Sequence, residues 1–264
     1  MAERTHLRLD RPADGVARLT LDNPAQRNAM SPEMTQSWVA AIDELVLDRS
    51  LRVVVVTGAG SAFSSGGNLG WLASEPDASV DRLRDRMLPF YRAWLSVRRL
   101  EVPTIAAING PAVGAGLCLA LACDLRFAAR GAKMAVPFTS LGLHPGMAGT
   151  FTLPDVVGAA AARDLLLTGR VVSDEEALGL GLVSRVIERE DFDQRVFATA
   201  ATVAAAAPTA PRLTTLALRA PGHADLERAL QWEALAQPVT MATADLLEGI
   251  EAASTKRPPR FTGH

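Results

Sequence analysis

The stretch "VGAGLCLALACD", residues 113–124, puts a glycine-rich turn ahead of an apolar run. Its only reactive side chains before Asp124 are the thiols of Cys118 and Cys123, so the turn offers a ligand mainly its backbone. A second segment, "VTGAGSAFSSGGNLG" at residues 56–70, repeats the device. Glycine lets backbone N–H groups approach a ligand closely, and a following helix adds partial positive charge at its N-terminus. Two N–H groups converging from separate loops would form an oxyanion hole, which stabilises negative charge developing on a carbonyl oxygen. Neither loop has dinucleotide-fingerprint spacing, and "GPAVGAG" has no lysine for a phosphate loop.

Such loops need strands behind them. "GVARLTLD" (15–22) alternates as a strand does, and "LRVVVVTG" (51–58) is a β-branched run typical of a strand buried on both faces. "TIAAIN" (104–109) and "DLRFAA" (124–129) are two more, so both glycine-rich loops leave the ends of buried strands, where α/β proteins collect ligands. Ser31 caps a helix with Pro32 at its first position and Glu33 just inside. That helix runs to about residue 48, with Met34, Trp38, Ile42 and Leu45 on one face. Residues 81–100 are helical in pattern, with Pro89 expected to break or restart the helix. After about 190 only helical patterns remain, with loop signals near Pro208, Pro211 and residues 221–223. The expectation is an α/β core over 1–190 and a helical portion over 191–264. The basic tail at 256–264 should be poorly ordered unless a ligand or a neighbouring subunit pins it.

With 264 residues, 48% apolar and 21% charged, the chain has room for one large α/β domain, or a core plus a small appendage. A net charge of -2 argues against nucleic acid as a partner. The charged N-terminus lacks the apolar segment of a secretory signal. Residues 102–123 carry no charge, yet Asn109-Gly110-Pro111 interrupts them, which fits strand, turn and buried helix rather than a membrane span. The spacing of Cys118 and Cys123 matches neither a zinc site nor a disulfide framework, so reduced thiols in a cytoplasmic setting and no metal are expected.

Taken together, "NPAQRNAMS", "RVVVVTGAGSAFSSGGNLG", "PTIAAINGPAVGAGLCLALACDLRFAA", "LGLHPGMAGT" and "LLEGIEAASTKRPPRFTG" resemble the crotonase superfamily of enoyl-CoA hydratases and isomerases, in order and over nearly the whole chain. The resemblance implies a spiral of ββα units with a C-terminal helical trimerisation region, assembled as a homotrimer or a dimer of trimers. It implies an acyl-CoA substrate, with coenzyme A as part of that substrate rather than a separate cofactor. By motif position, the N–H groups of Gly67 and Ala115 would hold the thioester oxygen and stabilise an enolate.

The resemblance breaks where hydratases of this family keep two glutamates. Those positions fall on Cys118 and Phe138 here. Phenylalanine carries no proton, and a cysteine in apolar surroundings behaves as a small hydrophobe. Replacement candidates are His144 as acid/base and Cys118 itself, then Glu75 and Asp77 in the segment after the first loop. Asp124 reads as structural and Asn68 as ordering its loop. The resemblance places Arg27, Ser65, Lys256 and Arg257 near coenzyme A, and Phe63, Trp71 and Phe138 are candidates for the acyl pocket. Two readings follow. One is an enzyme with non-standard proton transfer, or with chemistry such as decarboxylation or thioester hydrolysis that needs little beyond the oxyanion hole. The other is a non-catalytic protein that binds and delivers fatty acyl-CoA.

Overall fold

The computed structural model describes residues 4–220 and 226–263; the loop signal read at 221–223 lies outside them. Its chain order starts with an antiparallel pair, β1 (Leu7–Ala13) and β2 (Val16–Leu21). Then come α1 (Pro32–Leu47), β3 (Val53–Gly58), α2 (Leu69–Leu72) and α3 (Val80–Trp94). The central stretch holds β4 (Thr104–Ile108), β5 (Ala112–Val113), α4 (Ala115–Ala122), β6 (Leu125–Ala129) and β7 (Lys133–Ala135). After α5 (Gly149–Thr168), β8 (Val172–Ser173), α6 (Asp174–Gly179) and β9 (Arg185–Ile187), the helices α7 (Phe192–Ala204), α8 (Thr209–Arg219), α9 (Leu226–Met241) and α10 (Ala244–Thr255) finish the chain.

Six strands form one sheet in the order β1-β2-β3-β4-β6-β9, parallel from β2 onward. A small second sheet runs β5-β7-β8. Each central turn of chain gives one strand to the large sheet and one to the small sheet before entering a helix: β4, β5, α4, then β6, β7, α5. This is the expected spiral of ββα units. The short strands β5, β7, β8 and β9 have too few residues to show a period in the sequence.

The large sheet is buried on both faces. Trp38, Ile42 and Leu45 of α1 pack against one face with Val54, Val56 and the apolar side chains of α4. Phe192, Val196 and Ala200 of α7 cover the other with Val53, Val55 and Ile105. The first helix beyond residue 190 is therefore part of the core. Ser31 caps α1 as expected, its hydroxyl accepting the Met34 N–H at 3.2 Å.

Two expectations are corrected. Pro89 does not break α3, which continues to Trp94 before a 3₁₀ turn over Leu95–Arg99. Pro89 and Asp85, whose carbonyl the missing N–H would have met, are both exposed, so water can satisfy that carbonyl while Phe90 and Trp94 anchor the helix in the core. The basic tail is held by its own chain. Asp245 accepts the N–H groups of Thr262 (2.7 Å) and Gly263 (2.8 Å), and Glu248 takes the Arg257 guanidinium and the Arg260 N–H. Among the described residues no helix is long and apolar enough to cross a membrane.

Asp124 ties three elements together. It accepts the N–H (2.7 Å) and hydroxyl (2.8 Å) of Thr104 in β4, and its other oxygen takes Arg219 Nε of α8 at 2.7 Å. The Arg219 side chain is only 9% exposed. Losing the carboxylate leaves that cation uncompensated, so Asp124→Asn is expected to cost about 2–4 kcal/mol in urea unfolding.

Candidate active site

The two glycine-rich loops are one backbone structure. Phe63 and Ser64 donate their N–H groups to Pro111 O (3.1 and 3.2 Å), and Val113 N–H returns to Ser64 O at 2.9 Å. The first loop is also laced to the chain before α1: Met30 N–H donates to Gly66 O (2.8 Å), and Asn68 N–H to Met30 O (3.2 Å). Two asparagines hold the turns. Fully buried Asn28 accepts the Asn23 N–H and donates to Ala59 O and Ala62 O. Asn109 accepts the Gly58 N–H and donates to Gly60 O.

Close approach explains the glycines that matter most. Gly66 has φ +93°, and a Cβ there would sit 2.6 Å from Val113 O and 3.1 Å from Ala115 N. A Cβ on Gly116 would lie 2.5 Å from Ser64 O. The start of α4 is thereby pressed against the first loop. Gly67 and Ala115 then stand on the wall of the same cavity, of about 220 Å³. Neither N–H has an acceptor among the described residues. Ala115 is the first residue of α4, so the partial positive charge of that helix end backs its N–H. The rest of the wall is mainly apolar, with Leu83, Met87, Phe90, Phe138 and Met147 prominent.

The candidate side chains fare differently. Cys118, one turn beyond Ala115, is fully buried with its thiol directed at Gly146 O (3.7 Å), and burial pushes its pKa up to about 12. The thiol therefore keeps its proton at neutral pH and is no base. Phe138 lines the cavity. Phe63 and Trp71 do not: Phe63 is fully buried in the core, and Trp71 lies between the tilted Phe90 ring (4.9 Å) and the Arg86 guanidinium (4.7 Å). Their apolar type could not distinguish core from pocket. His144 is exposed on the cavity wall, with Nδ1–H donating to Pro145 O at 2.8 Å. Glu75 is held in ion pairs by Arg82 (3.1 Å) and Arg86 (3.2 Å), which keep its carboxyl below the usual range; it works as a strap across the loop before α3. Asp77 is exposed and away from the cavity wall. Asn68 caps α2 through the Trp71 N–H, and Asp124 is bound to Thr104 and Arg219 as described.

Among the coenzyme candidates, Arg27 is exposed and its carbonyl accepts the Ser65 N–H at 2.9 Å, so both flank the first loop. Lys256 is exposed at the end of α10 and makes no ion pair with a described residue. Arg257 is committed elsewhere, at 2.6 and 2.9 Å from the Glu248 oxygens. Among the described residues no three His, Cys, Asp or Glu side chains gather as metal ligands would.

Two polar groups in the cavity wall were not singled out in the sequence: Arg86, which pairs with Glu75, and Tyr91, the chain's single tyrosine. Tyr91 follows Met87 by one turn of α3, and both line the cavity. Expecting a break at Pro89 hid that helical face.

A family model described as enoyl-CoA hydratase/isomerase matches residues 11–264. A Thermus thermophilus protein named "Putative enoyl-CoA hydratase" is 40% identical, the match covering 93% of this chain and 97% of that one. The mitochondrial methylglutaconyl-CoA hydratase of Rattus norvegicus is 34% identical over 94% of this chain and 80% of its own. The crystal structure of an enoyl-CoA hydratase from Bacillus anthracis superposes with a TM-score of 0.92 at 32% identity, covering 98% of this chain and all of that one.

Two outcomes test this geometry. Gly66→Ala forces a side chain into Val113 O at a positive φ, so it should lower unfolding stability by about 1–3 kcal/mol in a urea titration. Iodoacetamide at pH ~8 should label neither cysteine of the native protein and both once it is unfolded, since burial pushes both thiols up to about 12. Intact-mass spectrometry reads the label.

Proposed function

Because the chain belongs to the enoyl-CoA hydratase/isomerase family, we propose that it binds an acyl-CoA thioester and stabilises that thioester's enolate between the N–H groups of Gly67 and Ala115. The observation that carries this reading is the pair of donors without protein acceptors, supplied by two loops to one apolar cavity. An acyl chain fits the apolar wall, and its thioester oxygen supplies the missing acceptor. Charge builds on that oxygen when C2 gains electron density, so both hydrogen bonds strengthen toward the transition state. Each such donor is worth roughly 10²–10³ in rate.

Proton transfer on this reading is non-standard. The two positions where hydratases carry glutamate hold a buried thiol and a phenyl ring. Of the substitutes singled out from the sequence beyond those two positions, only His144 lines the cavity. Hydration by a carboxylate pair is therefore disfavoured, and reactions that chiefly need enolate stabilisation are favoured. Arg27, Ser65 and Lys256 are assigned to coenzyme A, where a cation suits phosphate; Arg257 instead braces the tail. A cytoplasmic homotrimer or dimer of trimers is the assembly we assign. It would cover the exposed apolar side chains of the last two helices, among them Leu235, Val239, Leu247 and Ile250.

The missing carboxylates also support a second reading, a non-catalytic carrier of fatty acyl-CoA. Two measurements separate the possibilities. Infrared difference spectra with a carbonyl-labelled acyl-CoA should show the bound thioester stretch shifted to lower frequency; an unshifted band would sink the oxyanion hole. Incubation with crotonyl-CoA and longer 2-enoyl-CoAs, followed by loss of enone absorbance, should show turnover above background. Tight binding with no turnover of these 2-enoyl-CoAs would sink hydratase or isomerase activity and favour the carrier.

A further inference from the structure

Resting on the acyl-CoA reading, we infer that the Tyr91 hydroxyl is the proton carrier of this site, exchanging a proton with C2 of the bound thioester. Three placements support it. Tyr91 lines the same cavity wall as Gly67 and Ala115. Its hydroxyl has no hydrogen-bond partner among the described residues, so it is left for whatever enters the cavity. It also lies against Gly146: a Cβ on that glycine would sit 2.7 Å from the hydroxyl oxygen, while Gly146 O receives the Cys118 thiol. The phenol thus stands beside Cys118, where the first carboxylate is missing.

The other proton-bearing groups are spent or badly placed. Cys118 is sealed in the core, Phe138 has nothing to give, and Arg86 is committed to Glu75 and the Leu72 carbonyl. His144 is exposed and directs Nδ1–H at Pro145 O. In the protonating direction the C2 electron pair of the enolate takes the phenol proton. A C–H bond forms, the O–H bond breaks, and water entering the open cavity reprotonates the phenolate. In reverse, phenolate removes a C2 proton and the electron pair passes to the thioester oxygen.

The charged and titratable groups around the phenol are Cys118 from α4, His144 from the loop before α5, and Arg86 of its own helix, the last paired with Glu75. Burial, reinforced by Cys118, holds the phenol above its ordinary value. It therefore keeps its proton at neutral pH and becomes a base only in alkaline solution.

The test is C2 exchange of butyryl-CoA in D₂O, read by mass spectrometry, with binding measured by calorimetry. The base form removes the proton, so wild-type exchange should still climb with pH at about pH 9–10. Tyr91→Phe should slow it by about 10²-fold while the dissociation constant moves by less than about threefold. Exchange that Tyr91→Phe leaves within about twofold overturns the assignment, as does a profile that levels near pH ~6.5 and collapses in His144→Ala. Binding without exchange overturns it too. Failure of butyryl-CoA to bind at all would instead remove the thioester reading beneath it.

Discussion

Everything at the candidate site depends on two loops meeting backbone to backbone. The hydrogen bonds of Phe63, Ser64 and Val113 zip the loops together, and the glycines at 66 and 116 let them touch. A side chain at either position would open the contact and move the Gly67 and Ala115 N–H groups apart. The asparagines at 28 and 109 fix the turns from behind, and the parallel strands β3 and β4 set the spacing of the two loop origins. Fold and site are thus continuous. The sheet supplies the distance, the turns the direction, and the close approach the final placement.

Much of this was legible because the signals were local. Four β-branched residues at 53–56 identify a buried strand, and Ser31-Pro32 announces a helix start. The glycine spacing and the family resemblance gave both loops. What was not legible depends on partners distant in sequence or on solvent. Whether Pro89 interrupts α3 turns on whether water reaches the carbonyl of Asp85. The order of the tail turns on Asp245 and Glu248, two carboxylates on α10 whose partners were not evident from composition. The place of Tyr91 against Gly146 is a contact distant in sequence, and the expected break at Pro89 hid the helical face it shares with Met87.

On the proposed reading, Cys118 and Phe138 stand at the two carboxylate positions and leave a cavity with two N–H donors and few proton carriers. Carboxylates in such a space would suffer a large desolvation penalty, and their charge would compete with the enolate for the same N–H groups. A thiol and a phenyl ring avoid both costs, and the apolar wall strengthens the remaining hydrogen bonds by excluding water. The chemistry is narrowed as a result. On the proposed acyl-CoA reading, enolate stabilisation rests on the two N–H donors while acid–base work rests on whatever neutral polar groups remain.

The two N–H donors come from the main chain, and this separates how the protein can lose its function from how it can change it. No side-chain replacement deletes a peptide N–H short of proline, so the electrostatic core is protected against drift as long as the loops keep their path. The surrounding wall has no such protection: one base change can put an acid, a phenol or a hydrocarbon beside the same pair of donors. The scaffold is therefore conservative in what it stabilises and permissive in how a proton reaches it, a division of labour by which new reactions can arise without rebuilding the site.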